Sequence, residues 1–337
     1  MSMASQSIKN LRLKDDENMR PMLSVAVVTY NQEKYISQTL DSILSQKHRY
    51  TYEIIVGDDC STDGTVKIIA EYASKYPAII RPIYNENNFG LIKNYFNVIS
   101  HCKGKYIMQC AGDDWWLPGK VAKQIEFMQT HEDVGMCYGR AKVWNEKTLC
   151  WGGVIGHYKN KTSELLVENA IPAVSVCFRN DIIKNYMNEI QPQKKTWKME
   201  DYPFWLYISH ESRIHFYADN VAAYRHLEES ESHSLDRYKR FEFENSVNEI
   251  RLFFAERYNL QDCLHIEKII LFYIGALKTK FRKEYATKLN ECYRLLPNHT
   301  MKMKIYNICA FMPCFWYIIK LWNSIKRFFL SSVLLLH

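Results

Sequence analysis

The sequence lacks the signatures of several common protein classes. Its ten cysteines are scattered and include no Cys-x-x-Cys pair, which argues against a disulfide scaffold. Cys110, Cys137 and Cys177 stand in apolar runs typical of buried strands, so we expect buried free thiols in a reducing cytosol. No run of about 18 apolar residues occurs, and residues 1–20 are polar. We therefore expect neither a conventional membrane span nor a secretory leader.

Nucleotide-binding fingerprints are missing as well. No GxGxxG follows the first predicted strand, which argues against a dinucleotide oxidoreductase, and no GxxxxGK[ST] indicates a P-loop enzyme. The net charge is +7 over 337 residues. Five of those charges fall in residues 301–337, so the rest of the chain is nearly neutral and we expect no nucleic-acid partner. A hydrophobic content of 47% excludes a disordered chain.

Residues 23–139 alternate between short apolar runs and amphipathic segments, which predicts an α/β fold with a mostly parallel, Rossmann-like sheet and helices on both faces. Later segments predict a strand over Ala173–Phe178, a helix over Tyr202–Ser209 and strand structure over Ile214–Ala223. The predicted strands of the first half are Leu23–Thr29, Tyr52–Gly57, Ile79–Tyr84, Lys105–Cys110 and Val134–Gly139, and the helices are Glu33–Ser45, Thr65–Lys75, Leu91–Ser100 and Pro118–Thr130.

The chain divides into four predicted regions. Residues 1–20 form a polar tail, and residues 21–235 form the α/β domain, with a nucleotide half (21–140) and an acceptor half (141–235). Residues 236–300 predict a helical extension. Residues 301–337 form a basic, aromatic, amphipathic segment.

Acidic pairs follow two of the predicted strands. Asp58 and Asp59 follow the second strand, and Asp113 and Asp114 follow the fourth. In an open α/β sheet, ligands bind beyond the carboxyl ends of the strands. One carboxylate pair there could accept hydrogen bonds from a nucleoside, and the other could hold a divalent cation on a diphosphate. Taken alone, residues 58–64 could equally be a polar turn with a helix cap.

Two further polar elements are open to two interpretations. Glu200 and Asp201 begin a predicted helix, where they could cap it or supply a general base. His226 could contact a metal or phosphates, or could be an ordinary surface histidine.

These blocks, in this order, resemble glycosyltransferase family 2 with the GT-A fold, over residues 22–234. The quoted motifs are SVAVVTYNQEKYISQTLDSILSQ, YEIIVGDDCSTDGT, GKYIMQCAGDDWWLPGKVAKQIEF and MEDYPFW. The resemblance implies an inverting transferase that moves a sugar from a nucleotide-diphosphate donor, commonly UDP-linked, with Mg²⁺ or Mn²⁺.

The resemblance also implies residue roles. Asp201 matches the catalytic base, with Glu200 beside it. The metal ligands would be Asp113, Asp114 and His226, with Asp114 favoured. The nucleotide-sugar site would comprise Thr29, Tyr30, Asn31, Asp58, Asp59, Asn94, Asp113, Ser230 and Ser232.

One position departs from the family pattern. Many members carry an acid where this chain has Ala111, which leaves open weak metal binding or a non-catalytic nucleotide-sugar-binding subunit of a membrane glycan-assembly complex. A sugar-nucleotidyltransferase is a further alternative, although TYNQEKY is not the Gly-rich basic loop that such an enzyme needs.

The acceptor and the location are expectations of the same kind. The resemblance implies a glycan or lipid-linked glycan acceptor and a role in bacterial surface polysaccharide, such as capsule or O-antigen. Basic and aromatic residues alternate in residues 301–337, as in helices that lie on an anionic membrane surface. We expect a cytoplasmic protein, peripheral on the inner membrane. The alternative is a helix packed on the domain.

Overall fold

The computed structural model describes residues 20–228, 236–279, 283–295 and 301–319. The chain forms two compact units, which divide after Arg257. The first unit therefore extends beyond residue 235, where the sequence suggested a boundary. Its last helix packs within this unit, since the backbone N–H of Lys198 donates to Ser246 Oγ at 2.8 Å.

Strands and helices alternate in the first unit as the hydrophobic periodicity predicts. The strands are β1 (Leu23–Thr29), β2 (Tyr52–Asp58), β3 (Ile80–Tyr84), β4 (Tyr106–Ala111), β5 (Trp115–Trp116), β6 (Val134–Asn145), β7 (Cys150–Ile155), β8 (Cys177–Arg179) and β9 (Arg213–His226). The helices are α1 (Ile36–Leu44), α2 (Thr65–Lys75), α3 (Leu91–His101), α4 (Lys120–Thr130), α5 (Thr162–Val167), α6 (Asn180–Ile190), α7 (Asp201–Glu211) and α8 (Arg237–Arg257).

The described strands form one mixed sheet in the order β3-β2-β1-β4-β8-β6-β9-β5, with β7 paired to β6. Strands β3, β2, β1 and β4 are parallel, as are β6 and β9. The mostly parallel sheet is therefore as predicted: the short β8 between β4 and β6 is antiparallel to both, so β6 runs in the same direction as β4. The predicted strand Ala173–Phe178 is corrected: Ala173–Ser175 is a 3₁₀ turn, and the strand begins at Cys177.

The strand register aligns the carboxyl ends of β1, β2 and β4. Thr29 of β1 lies opposite Asp58 of β2, and Val28 lies opposite Ala111 of β4. Because β1 lies between β2 and β4, the two acidic pairs begin on either side of β1 at one edge of the sheet. The predicted convergence on this edge is therefore confirmed at the level of strand order.

A continuous apolar core supports that edge. Strand residues such as Val25, Val27 and Ile54 are fully buried, together with Ile36 and Leu40 of α1. Burying each of these side chains contributes about 1.5–3 kcal/mol. All ten cysteines are free, and Cys110, Cys137 and Cys177 are buried, as predicted.

The second unit is helical, with α9 (Ile266–Thr279), α10 (Lys283–Arg294) and α11 (Met301–Ile308). Residues 313–319 are also helical. Trp316 is buried within the unit, and its indole N–H donates to the carbonyl of Ala310 at 3.0 Å. In the described part of the chain, no helix is long and apolar enough to cross a membrane. Half of the predicted surface-binding segment, residues 320–337, lies outside the described residues.

Candidate active site

The loops that follow β1 and β2 are joined by hydrogen bonds. The backbone N–H of Asn31 donates to Ser61 Oγ at 2.9 Å, and Asn31 Oδ1 accepts from the Thr62 N–H at 2.8 Å. Asp58, which is buried, accepts from the N–H and the hydroxyl of Ser61 at 2.9 and 2.5 Å. Asp58 therefore organises the turn rather than facing solvent. Tyr30 is nearly half exposed at this edge.

The Asp59 carboxylate holds the loop before α3. Its Oδ1 accepts from Asn85 Nδ2 and from the Phe89 N–H, both at 2.9 Å, and its Oδ2 accepts from the Gly90 N–H at 2.7 Å. An ionised carboxylate has about four acceptor positions. Three of these positions on Asp59 are used within the protein, and the residue is buried.

Asn94 lies beneath this loop in a fully buried position. Its Nδ2 donates to the carbonyl of Gly57 at 2.9 Å, and its Oδ1 accepts from Asn85 at 3.0 Å. A Cβ on Gly57 would lie 2.7 Å from Asn94 Oδ1 and 2.3 Å from Val98, so only glycine permits this close approach. The contacts of Asn94 make it a support for the loop that Asp59 also holds.

The turn that follows β4 lies against β1. A Cβ on Gly112 would lie 2.8 Å from Thr29 Cβ and 2.3 Å from Gln32 Oε1. Thr29 is buried, and its hydroxyl has no hydrogen-bond partner within the described structure. The hydroxyl of Thr39, on α1, lies 2.9 Å from the Gly112 carbonyl and 2.7 Å from the Asp114 carbonyl. Helix α1 therefore fixes one side of the turn.

The two carboxylates of this turn differ in exposure. Asp114 is buried, and its Oδ1 accepts the backbone N–H of Arg225 at 2.8 Å. Burial raises the pKa of Asp114 well above its ordinary value, and the neighbouring Asp113 adds to the increase. Asp113 is only partly buried, although desolvation raises its pKa too, against the lowering effect of Arg225 and Gln32. Asp113 is therefore the carboxylate of the pair that a ligand can reach.

The other side of the turn is fixed by the Arg225 guanidinium, whose exposed fraction is 5%. Its Nε donates to the Asp113 carbonyl at 2.8 Å, and its terminal nitrogens contact Glu146 and Gln38. This guanidinium also lies 4.5 Å from the ring centre of Tyr35 and 4.8 Å from that of Trp115. These hydrogen bonds depend on the planar guanidinium group with its five N–H donors, which lysine lacks.

Asp201 and Glu200 lie at the start of α7. Asp201 is the first residue of the helix, and its Oδ1 accepts the N–H of the adjacent Tyr202 at 2.6 Å. Burial raises the pKa of Asp201, and the Tyr202 N–H opposes part of that increase. Glu200 and Asp201 both raise the pKa of Tyr95, after the larger effect of burial. The start of α7 is therefore within electrostatic range of α3, whose Asn94 supports the donor-side loop.

The remaining predicted residues are not gathered into a metal centre. His226 ends β9 opposite Asn145, and Ser230 and Ser232 lie outside the described residues. Among the residues that the structure describes, no group of three or more His, Cys, Asp or Glu side chains is placed to hold a metal ion. The partly exposed carboxylate of Asp113 could supply one oxygen ligand to a hard cation. The other ligands would have to come from the bound molecule and water.

Comparisons with known proteins agree with this geometry. A family model described as glycosyl transferase family 2 matches residues 24–198, just over half of the chain. The chain belongs to this family. The matched segment contains β1, β2, β4 and both acidic pairs, so the family assignment and the geometry concern the same edge of the sheet.

Three similar proteins place this family 2 member among known sequences and folds. An uncharacterized protein of Mycobacterium tuberculosis is 38% identical over 122 residues, which cover 36% of this chain and 35% of that protein. The chain thus spans about a third of the length of the mycobacterial relatives. The putative glycosyltransferase EpsE of Bacillus subtilis is 28% identical over 279 residues, which cover 79% of this chain and 95% of EpsE.

The third is a solved structure, S. aureus TarS 1–349 in complex with UDP-GlcNAc. It matches with a TM-score of 0.54 and 17% identity, over 86% of this chain and 87% of that chain. At this identity the likeness concerns the fold. This family 2 member therefore has the GT-A fold with C-terminal helices, as the resemblance implied.

Several residues at the site of this family 2 member were missed by the sequence analysis. Arg225 follows the apolar run Val221–Tyr224, and a charge that extends such a strand signals a buried, paired group. Gln38, Glu146 and Thr39 carry no comparable signal, because their partners lie far away in the sequence. Trp115 lies beside Arg225, whereas the neighbouring Trp116 is buried in the core.

Replacing Arg225 should destabilise the first unit. The variant R225M removes three hydrogen bonds and leaves the buried turn without its cation, so we expect the free energy of unfolding to fall by about 2–4 kcal/mol. R225K keeps the positive charge but loses the planar guanidinium, so its free energy of unfolding should fall by less than that of R225M. Urea unfolding followed by circular dichroism measures both.

The matched control is K147M. Lys147 pairs with Glu228 on the surface, where both side chains are more than half exposed, so its loss should leave the unfolding midpoint unchanged. An R225M midpoint equal to that of the wild type would contradict the role assigned to Arg225.

Proposed function

We propose that this chain is an inverting glycosyltransferase that moves a sugar from a nucleotide-diphosphate donor, most simply a UDP-sugar, to a hydroxyl of a glycan or lipid-linked glycan. The observation that carries the proposal is the pair of acidic turns beside β1, one holding the loop before α3 and the other exposing Asp113. The structure of S. aureus TarS in complex with UDP-GlcNAc supports a nucleotide-sugar ligand for this fold.

The donor's nucleoside would lie on the β1–β2 side of the edge. Tyr30 offers an exposed ring against which a base can stack, and Asp59 would accept a hydrogen bond from a base N–H. Thr29 and Asn31 line the same edge. Asp58 and Asn94 would act through the loops they hold.

A divalent cation, Mg²⁺ or Mn²⁺, would be held by Asp113. When bound, it would neutralise charge on the departing diphosphate. We assign Asp114 a positioning role instead, because its carboxylate is buried and accepts the Arg225 N–H. This revises the preference for Asp114 that the sequence suggested. His226 and Ser230 or Ser232 remain candidates for contacts to the diphosphate.

The start of α7 would supply the general base. Asp201 takes the proton from the acceptor hydroxyl as that oxygen attacks the anomeric carbon, from the face opposite the diphosphate. The bond to the diphosphate oxygen breaks as the new bond forms, which inverts the configuration. A carboxylate whose pKa is raised by burial is a stronger proton acceptor than an ordinary aspartate. Glu200 lies beside it as a second carboxylate.

Nucleotide binding should be measurable as thermal stabilisation. UDP with Mn²⁺, at about 100 times its Kd, should raise the melting temperature by about 5 °C, because a ligand that binds only the folded state stabilises it. In the variant D113N the part of the shift that depends on Mn²⁺ should disappear. Differential scanning fluorimetry with UDP, GDP and NAD, each with and without Mn²⁺, measures this.

The matched control is D219N, since Asp219 is exposed and pairs with Lys123 away from the turn. Its UDP and Mn²⁺ shifts should equal those of the wild type. If no nucleotide stabilised the wild-type protein, the donor proposal would fail, and the non-catalytic alternative suggested by Ala111 would take its place.

The base assignment predicts a mutation effect and a pH effect. D201N should lower turnover by about 10²–10⁴-fold and leave the UDP-dependent thermal shift intact. Because the folded pKa of Asp201 is raised, its basic form is present above that pKa and is lost as the pH falls. The acid limb of kcat/KM should therefore lie above the range of an ordinary aspartate.

The pH dependence of UDP affinity, measured over the same range, separates the titration of Asp113 from that of Asp201. Wild-type turnover in D201N, or an acid limb that follows UDP affinity alone, would contradict the assignment of Asp201.

We also propose that the second unit binds an anionic membrane surface. Ile305 and Ile308 of α11 are exposed, as are Phe311 and Met312 just after it, and residues 301–337 contain basic but no acidic residues. Apolar side chains beside positive charge are typical of interfacial helices. The double variant I305S/I308S should therefore bind vesicles more weakly than the wild type.

Flotation with phosphatidylglycerol-containing vesicles, compared with phosphatidylcholine vesicles, measures this binding. L271S is the matched control, because Leu271 is similarly exposed but lies on α9. Equal flotation of wild type, double variant and control would indicate that this surface does not contact membranes.

A further inference from the structure

Three tryptophans, one on β5 and two paired across the β6–β7 hairpin, meet beside the Asp113–Asp114 turn. The ring centres of Trp115 and Trp151 are 5.7 Å apart, those of Trp144 and Trp151 are 5.3 Å apart, and those of Trp115 and Trp144 are 6.4 Å apart. We call Trp115, Trp144 and Trp151 the tryptophan cluster. Trp151 is 45% exposed, so the cluster presents an aromatic ring to solvent.

The tryptophan cluster is tied to the site by two direct contacts. Trp115 lies against the Arg225 guanidinium at 4.8 Å, and the indole N–H of Trp144 donates to Glu146 Oε2 at 3.0 Å. Glu146 in turn contacts Arg225. The exposed ring of Trp151 is therefore held in a fixed position relative to Asp113.

The surface around Trp151 is open on one side. Trp151 lies opposite Trp144 and Val154 lies opposite Lys142, so Gly152 and Gly153 form a bulge beside Trp151. A Cβ on Gly153 would have no atom within 4 Å. On β6, Lys142 Nζ lies 4.1 Å from the ring centre of Trp151. The ring thus has open space at one side and a hydrogen-bond donor at another.

We infer that the tryptophan cluster and the space over Gly153 form a subsite for one pyranose ring of the glycan acceptor. The apolar C–H face of a pyranose can stack on the electron-rich face of an indole, and Lys142 can donate to a sugar hydroxyl. A single exposed tryptophan would not by itself indicate a binding site. Trp151, however, packs against Trp115 and Trp144, and Trp115 contacts Arg225 at the site. The inference rests on the proposed transferase function, whose acceptor it helps to define.

Two variants test the subsite in different ways. W151A removes the stacking ring. G153V keeps the ring but fills the open space, and valine is favourable in an exposed strand at a position with no positive φ. V154T is the matched control, because Val154 is exposed on the same strand and threonine has nearly the size and shape of valine. W151F should retain partial binding.

The measurement is saturation-transfer-difference NMR with methyl glycosides of glucose, galactose, mannose and N-acetylglucosamine. We expect transfer to the ring C–H protons of at least one glycoside in the wild type and in V154T. The signal should fall about fivefold or more in W151A and G153V. The UDP-dependent thermal shift should be unchanged in all variants.

Each contrary outcome is informative. No signal with any glycoside in the wild type, or an undiminished signal in W151A and G153V, would overturn the subsite. So would a change in sedimentation coefficient in W151A, because Trp151 would then face a second copy of the chain. Failure of the proposed function appears separately, as the absence of any UDP shift in the wild type.

Discussion

The buried guanidinium of Arg225 is the constraint on which the site depends. Its carbonyl, carboxylate and amide acceptors come from β4, β6 and α1, and it lies between two aromatic rings. A buried cation is tolerated only when nearly every donor is satisfied. These elements therefore cannot shift independently without leaving a charge unpaired. The turn that carries Asp113 is fixed by this requirement, together with Thr39 from the opposite side.

Burial divides the acidic residues into those that hold loops and those that can meet a ligand. Asp58 and Asp114 are buried and accept backbone N–H groups, so their charge is used within the protein. Asp59 holds the loop before α3. Asp113 and Asp201 are partly exposed, and burial raises the pKa of each. A carboxylate that is held in place and incompletely solvated can interact strongly with a ligand, and such groups are common in active sites.

The sequence predicted the donor half of the fold well because its signals are local. An apolar run predicts a buried strand, and the residue after it lies at the sheet edge, which placed Thr29, Asp58 and Asp113 correctly. The orientation and the first residue of β8 were not predicted, because a three-residue strand has almost no periodicity. The contact between Asp114 and Arg225 was not predicted either, since the two residues are 111 positions apart. No local pattern encodes that distance.

The same contrast separates the two proposed substrate sites. The proposed donor site lies at strand ends whose register is set by the parallel core. The proposed acceptor subsite lies on the β6–β7 hairpin, where all residues of β7 are exposed and the ring of Trp151 is held by Trp115, Trp144 and Lys142. Substitutions at exposed positions away from such contacts cost little stability. The parallel core can therefore keep the strand ends fixed while the exposed hairpin changes, and Trp151 lies on that hairpin.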